Sequence, residues 1–377
     1  MESNVLFKTS YAKTQKSNRW PITLVLLGLA LVTRVILLFA ARYPSIVENL
    51  YSSTIYPYIA KGLGFISSII PLSIAEILLM QIVLFIIIAI IMIILKPKYI
   101  LNNSKKIFHH VLRLMTAIYV LFYLLWGFNY FREDYLVIAN MNESQATYNE
   151  LKELTSIMIE KANEIREFLP EDDNGLLLIQ ESFNELGEIA NYGFDNYHVG
   201  SLDLGGNYGQ VKPVFLSKYM SYTGIAGIYI PFTSEPTINT DIPNHSLLTT
   251  ISHEIAHQRG FAKEDEANFI SYKANINNPD EKFQYSGYYL AMNNLMNEVY
   301  SENPDDYILF YTKLSDGVKR DLESAREYWK SKEGKIRESV NNMNDNYLKA
   351  NNQVDGVRSY NGIVNLLLAE YKDQKPN

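Results

Sequence analysis

Three long apolar runs in the first third of the chain restrict what it can fold into. They cover residues 21–41, 72–95 and 111–128. Each is long enough to cross a hydrocarbon layer of about 30 Å as a helix. A backbone in lipid has no water to bond, so a helix is the expected form for each run. A cleaved signal peptide is the rival reading of the first run. That run is too long, Arg34 interrupts it, and no small-residue cleavage site follows, so an uncleaved span is expected.

Basic residues set the expected orientation. Lys8, Lys13, Lys16 and Arg19 precede the first run, and Lys96, Lys98, Lys105 and Lys106 lie between the second and third. Only Arg42 and Lys61 lie between the first and second. Both Lys-bearing segments are expected on the cytoplasmic side of a cell (plasma) membrane. The expected organisation is a cytoplasmic tail (1–20), a membrane domain (21–130) and an extracytoplasmic domain (131–377). Arg34 and Glu76 are costly in apolar surroundings, and pairing or snorkelling to the interface is the expected role. Tyr43, Pro44, Tyr51, Tyr56, Pro57 and Tyr58 mark residues 43–70 as an interfacial loop, and Trp126–Arg132 carries the same chemistry after the third run.

The remainder reads as a mainly helical α+β domain with a small edge sheet. Thr147 and Glu150 form a capping box ahead of helical spacing through Leu169. Further helices are expected over 176–189, 280–300, 304–331, 335–350 and 360–371. Residues 224–232 predict a strand, and Pro231 within it argues for an edge strand or a strand end. Residues 233–244 read as a polar loop. An edge strand can pair with an extended substrate backbone or simply lie covered.

The chemistry concentrates in residues 249–269. His253, Glu254 and His257 form an H-E-x-x-H pattern. On a helix both imidazoles share a face, so they can hold one metal ion with Glu254 beside a bound water. Ser246, Thr249 or Thr250 is expected to cap this helix and Gly260 to end it in the left-handed conformation. The chain can then turn back and offer Glu264, Asp265 or Glu266 as a third ligand. The sequence has no cysteine, which leaves His and carboxylate as donors and Zn2+ as the default metal. A net charge of −7 gives a nucleic-acid partner no electrostatic support.

Glu264-x-x-Ala267-Asn268 resembles the ligand helix of the Glu-type zincins (gluzincins). That resemblance implies Glu264 as the ligand and Asn268 as the residue orienting a ligand imidazole, with Glu266 the alternative ligand. More broadly, the three runs, Trp126–Arg132, Gly227–Glu235, His253–Asn268 and Asp345–Gly356 together resemble one bacterial family of three-span membrane proteins, a "domain of unknown function" with an H-E-x-x-H domain. The resemblance implies membrane anchoring and a zincin-like fold, and leaves the substrate open.

The expected function is a membrane-anchored zinc metallopeptidase acting on a polypeptide, with Glu254 as general base. Tyr347, Arg358 and Tyr360 are the candidate oxyanion stabilisers. The alternatives are a catalytically silent interaction module with a structural zinc, and a zinc amidase acting on cell-envelope material.

Overall fold

The computed structural model describes residues 20–142, 146–195, 197–353, 356 and 362–375. Three of its helices are long and apolar enough to cross a membrane: α1 (Trp20–Ala40), α4 (Ile74–Leu95) and α5 (Pro97–Leu125). At 1.5 Å per residue α4 is about 33 Å long and α5 about 44 Å. The third run therefore starts earlier than residue 111, because Pro97 suits a first helical turn and Lys98, Lys105 and Lys106 extend the same helix instead of forming a loop. Only Lys96 separates α4 from α5.

Residues 43–70 are not a loop. They form α2 (Pro44–Val47), a π-helical stretch (Glu48–Ile55) and α3 (Tyr56–Ser68). The expectation failed because the prolines at 44 and 57 stand in first helical turns, where a missing N–H costs nothing.

The other helices are α6 (Tyr135–Ile138), α7 (Tyr148–Arg166), α8 (Phe183–Tyr192), α9 (Ser217–Met220), α10 (Asn244–Gln258), α11 (Glu264–Ile276), α12 (Glu281–Glu302), α13 (Pro304–Thr312), α14 (Asp316–Ser331), α15 (Lys335–Ala350) and α16 (Ile363–Gln374). The capping box on α7 is present, with the Thr147 hydroxyl accepting from Glu150 N–H and the Glu150 carboxylate accepting from Thr147 N–H. A second box, Ser182 with Glu185, starts α8 later than residue 176. The region 304–331 divides at Ser315, which caps α14.

Two small sheets complete the fold. β1 (His198–Val199) pairs antiparallel with β2 (Leu202–Asp203). β3 (Lys212–Pro213), β4 (Gly227–Ile230) and β5 (Glu235–Ile238) lie in the order β3-β5-β4, so β4 is an edge strand. β5 falls inside the expected polar loop. Its four residues are buried, and it pairs parallel with β3 and antiparallel with β4.

One buried core unites α7, α8, α10, α11, α12 and α16. A second, aromatic cluster joins Leu37, Tyr56, Tyr123, Trp126, Tyr130, Tyr208, Tyr229 and Ala262. It contains side chains from both sides of residue 130, so the membrane helices and the following domain share packed surface. An ion pair lies next to it: Glu48 accepts from Arg132 Nε at 2.9 Å and Nη2 at 2.8 Å. Arg132 is 2% exposed and Glu48 8%.

Removing one partner of a buried pair leaves an uncompensated charge and costs about 3–5 kcal/mol. Glu48→Ala is expected to lose that much stability in detergent-solubilised protein, read by thermal unfolding. The double variant Glu48→Ala/Arg132→Met is expected to recover part of the loss.

Candidate metal centre

α10, which carries the H-E-x-x-H residues, is held by apolar residues that face the main core. Leu247, Leu248, Ile251 and Ile255 are buried in the main core. No side chain caps its start: Pro243 precedes it, and the Thr249 and Thr250 hydroxyls donate back to the Ser246 carbonyl from within the helix.

The helix ends in a Schellman turn. Gly260 has φ +93°, its N–H donates to His257 O at 2.9 Å, and Phe261 N–H donates to Ala256 O at 3.2 Å. Glycine takes this conformation without steric cost. The turn reverses the chain and brings α11 alongside α10. His253, His257 and Glu264 then converge, with one potential ligand atom from each lying within 4.8 Å of the others. Glu264 Oε2 lies 3.2 Å from His253 Nε2 and 3.5 Å from His257 Nε2.

The same turn sets the His257 tautomer. Its Nδ1 lies 2.7 Å from the Phe261 carbonyl, which can only accept, so Nδ1 carries the proton. Nε2 is then left with a lone pair aimed at a carboxylate oxygen that is itself buried without a hydrogen-bond donor. Two acceptors face each other across 3.5 Å. Such a contact is stable only with a cation between them, a metal ion or a second imidazole proton. The donor set of two imidazoles and one carboxylate suits zinc with one position left open.

The other sequence candidates are placed as follows. The Glu266 carboxylate accepts the Tyr135 backbone N–H at 2.8 Å, away from the cluster, so it holds α6 instead. Asn268 stands one turn after Glu264, half-buried. Tyr347, on α15, accepts from the Tyr130 hydroxyl at 3.1 Å. Its phenol is raised above the ordinary value by burial, with the Glu264 charge a further cause. Arg358 and Tyr360 lie outside the described residues.

Glu254 is 3% exposed, and burial raises its carboxyl above the usual range despite the neighbouring imidazoles. The Tyr229 backbone amide of β4 partly offsets that rise. Gly227 makes this approach feasible: a Cβ there would fall 2.6 Å from Glu254 Oε1 and 2.8 Å from Thr250 Cγ2.

Sequence reasoning missed the groups that clamp the end of α10. Trp126 Nε1 donates to His257 O at 3.2 Å, and the Tyr56 hydroxyl donates to Gln258 O at 3.0 Å. Arg132 Nη1 donates to Gly260 O at 2.9 Å while its guanidinium lies 4.0 Å from the centre of the Phe261 ring. Gln353 Oε1 accepts Glu264 N–H at 3.3 Å and so supports the start of α11. Trp126 and Tyr56 had the signal of interfacial aromatics, and nothing local marked them as partners of a helix end.

The chain matches the family described as "Protein of unknown function (DUF3810)" over residues 51–368, and it belongs to that family. Comparison with curated proteins and with solved structures finds no match.

The electrostatics predict a pH signature for metal-free protein. Burial lowers the His257 pKa, but Glu264 outweighs it and holds it at about 9, above the ordinary 6.5. This stabilisation is present below pH 6.5 and is lost as pH rises through 9. Burial raises the Glu264 carboxyl, but His257 and His253 outweigh it and pull it below its ordinary value, so its contribution is lost in acid. With chelator present, the unfolding temperature is expected to fall between pH 6.5 and 9. Saturating zinc should flatten that fall, and His257→Gln should remove it.

Proposed function

We propose that this DUF3810 protein is a membrane-anchored zinc metallopeptidase with a zincin-like domain. The observation that carries the proposal is the convergence of His253, His257 and Glu264 beside a buried Glu254 that touches the edge strand β4. A zinc ion on the three ligands would polarise the scissile carbonyl and acidify a water.

The chain's own residues account for the rest. Glu254 accepts a proton from the attacking water and delivers it to the leaving amine. Its raised pKa favours that shuttle, since a carboxyl nearer neutrality can both take and return a proton. Tyr347, whose phenol feels the Glu264 charge, is the candidate donor to the oxyanion. The free side of β4 can pair with an extended substrate backbone directly over Glu254. The basic residues at 8–19 and 96–106 support a cytoplasmic N-terminus in a bacterial cell membrane, with the site on the opposite side.

Two experiments test this. In the first, purified full-length protein is assayed for zinc and for cleavage of a random peptide library. About one zinc per chain is expected in the wild type and in Glu254→Gln, with strong loss in His257→Ala and Glu264→Ala. Cleavage is expected to drop by about 10²–10⁴ in Glu254→Gln. Undiminished cleavage in that variant would refute the proton role, and zinc with no cleavage in any form would favour a structural metal in an interaction module. In the second, a compartment-sensitive reporter is fused after residue 377. Activity outside the cytoplasm is expected, and cytoplasmic activity would reverse the orientation.

A further inference from the structure

The segment from Val214 to Tyr222 crosses from β3 towards β4 and exposes large apolar side chains. Phe215 is 83% exposed and Tyr219 71%, with Leu216 and Lys218 beside them. Its position relative to the spans is set by hydrogen bonds. Glu76, in the first turn of α4, accepts the backbone N–H groups of Phe215 at 2.7 Å and Leu216 at 2.9 Å. Glu235 of β5 accepts those of Ile74 and Ala75 at 3.1 and 2.9 Å, and Lys212 of β3 donates to Ile70 O at 2.6 Å. The small sheet is thus bonded along the start of α4, and the exposed aromatics sit level with that helix's first turn.

The metal cluster sits at the same level. α4 leaves this face and α5 returns to it after Lys96. The residue immediately after α5, Trp126, holds His257 through its carbonyl. These contacts gather the start of α4, the end of α5, the small sheet and the end of α10 at one end of the long apolar helices. Phe215 and Tyr219 thus add exposed aromatic surface near the start of the apolar helix α4. An aromatic and a lysine at that depth match the chemistry of a headgroup interface.

We propose that Phe215, Leu216 and Tyr219 form a lip seated in the bilayer, and that the site therefore acts on the stretch of a membrane-anchored polypeptide just outside its span. The substrate class rests on the hydrolytic reading above; the lip does not. A chain emerging from the bilayer beside α4 meets the free side of β4, where Ile228 is 43% exposed, at the depth of Glu254. A freely diffusing peptide gains nothing from this arrangement.

The chain has no cysteine, so single-cysteine variants can be labelled without background. Full-length Tyr219→Cys, carrying a bimane label in nanodiscs, is expected to be quenched by doxyl-labelled lipid at least half as strongly as Phe85→Cys in the middle of α4. Quenching by aqueous iodide alone would overturn the lip, whatever the site does. A 219–219 disulfide between two copies, without lipid quenching, would assign the face to a second copy instead. For the substrate class, one degenerate peptide library is presented free and fused to a transmembrane anchor in the same nanodiscs. The anchored form is expected to be cleaved at least tenfold faster, and Phe215→Ser/Tyr219→Ser is expected to lower that ratio. Equal or faster cleavage of the free form would overturn the class. Cleavage of neither form would overturn the hydrolytic reading and the substrate class with it, leaving the lip to stand or fall on quenching.

Discussion

The turn at the end of α10 is the constraint on which the candidate centre depends. Its carbonyl groups are the orphans that every helix end must satisfy. Here they are satisfied from the membrane side. Trp126 and Tyr56 hold the His257 and Gln258 carbonyls, and Arg132, fixed by Glu48, holds that of Gly260. The Phe261 carbonyl that follows sets the tautomer of His257, and the reversed chain presents Glu264. Loss of the turn would separate both the ligand set and its protonation logic.

This arrangement joins the apolar helices mechanically to the cluster of His253, His257 and Glu264. The π-helical stretch puts Glu48 where it can reach Arg132, and the aromatic cluster packs Trp126 against Tyr130 and Tyr229 with ring centres 5.1 and 5.5 Å apart. Such contacts are individually modest, but together they exclude water from the end of α10. They hold the three side chains of the candidate centre in fixed relative positions. The π-helical geometry of Glu48–Ile55 also fits a pattern in which such segments occur where a side chain must be aimed.

Glu76 illustrates how a costly residue is accommodated. Its carboxylate spans no ion path among the described residues. It accepts two backbone N–H groups of the Phe215 segment and lies in the first turn of its own helix, where negative charge is favoured. Glu235 performs a related task from the other direction, bonding the first amides of α4. Two carboxylates thus fasten the sheet to a span through main-chain amides, which makes the attachment independent of side-chain identity in the partners.

Much of the local architecture was legible in the residues themselves. Hydropathy marked the three apolar helices, the capping box marked α7, Gly260 marked the end of α10, and Pro231 marked the end of β4, because each depends on short-range physics. The spacing of His253, Glu254 and His257 needed only a helix. Other features were decided by tertiary structure. β5 and the residue after it read as polar loop because Glu235, Thr237 and Asn239 are buried for hydrogen bonds made to other segments of the chain. Residues 43–70 read as interfacial loop because aromatics and prolines look alike at a headgroup boundary and in a packed helix. Three acidic residues followed one another after Gly260, and only the direction in which α11 packs aimed Glu264 at the imidazoles and Glu266 at the Tyr135 amide. The sequence by itself determined which residues can form a metal centre. The tertiary structure decided which carboxylate joins it, through the way α11 packs back on α10, and how close it lies to the spans, through contacts between residues more than a hundred positions apart.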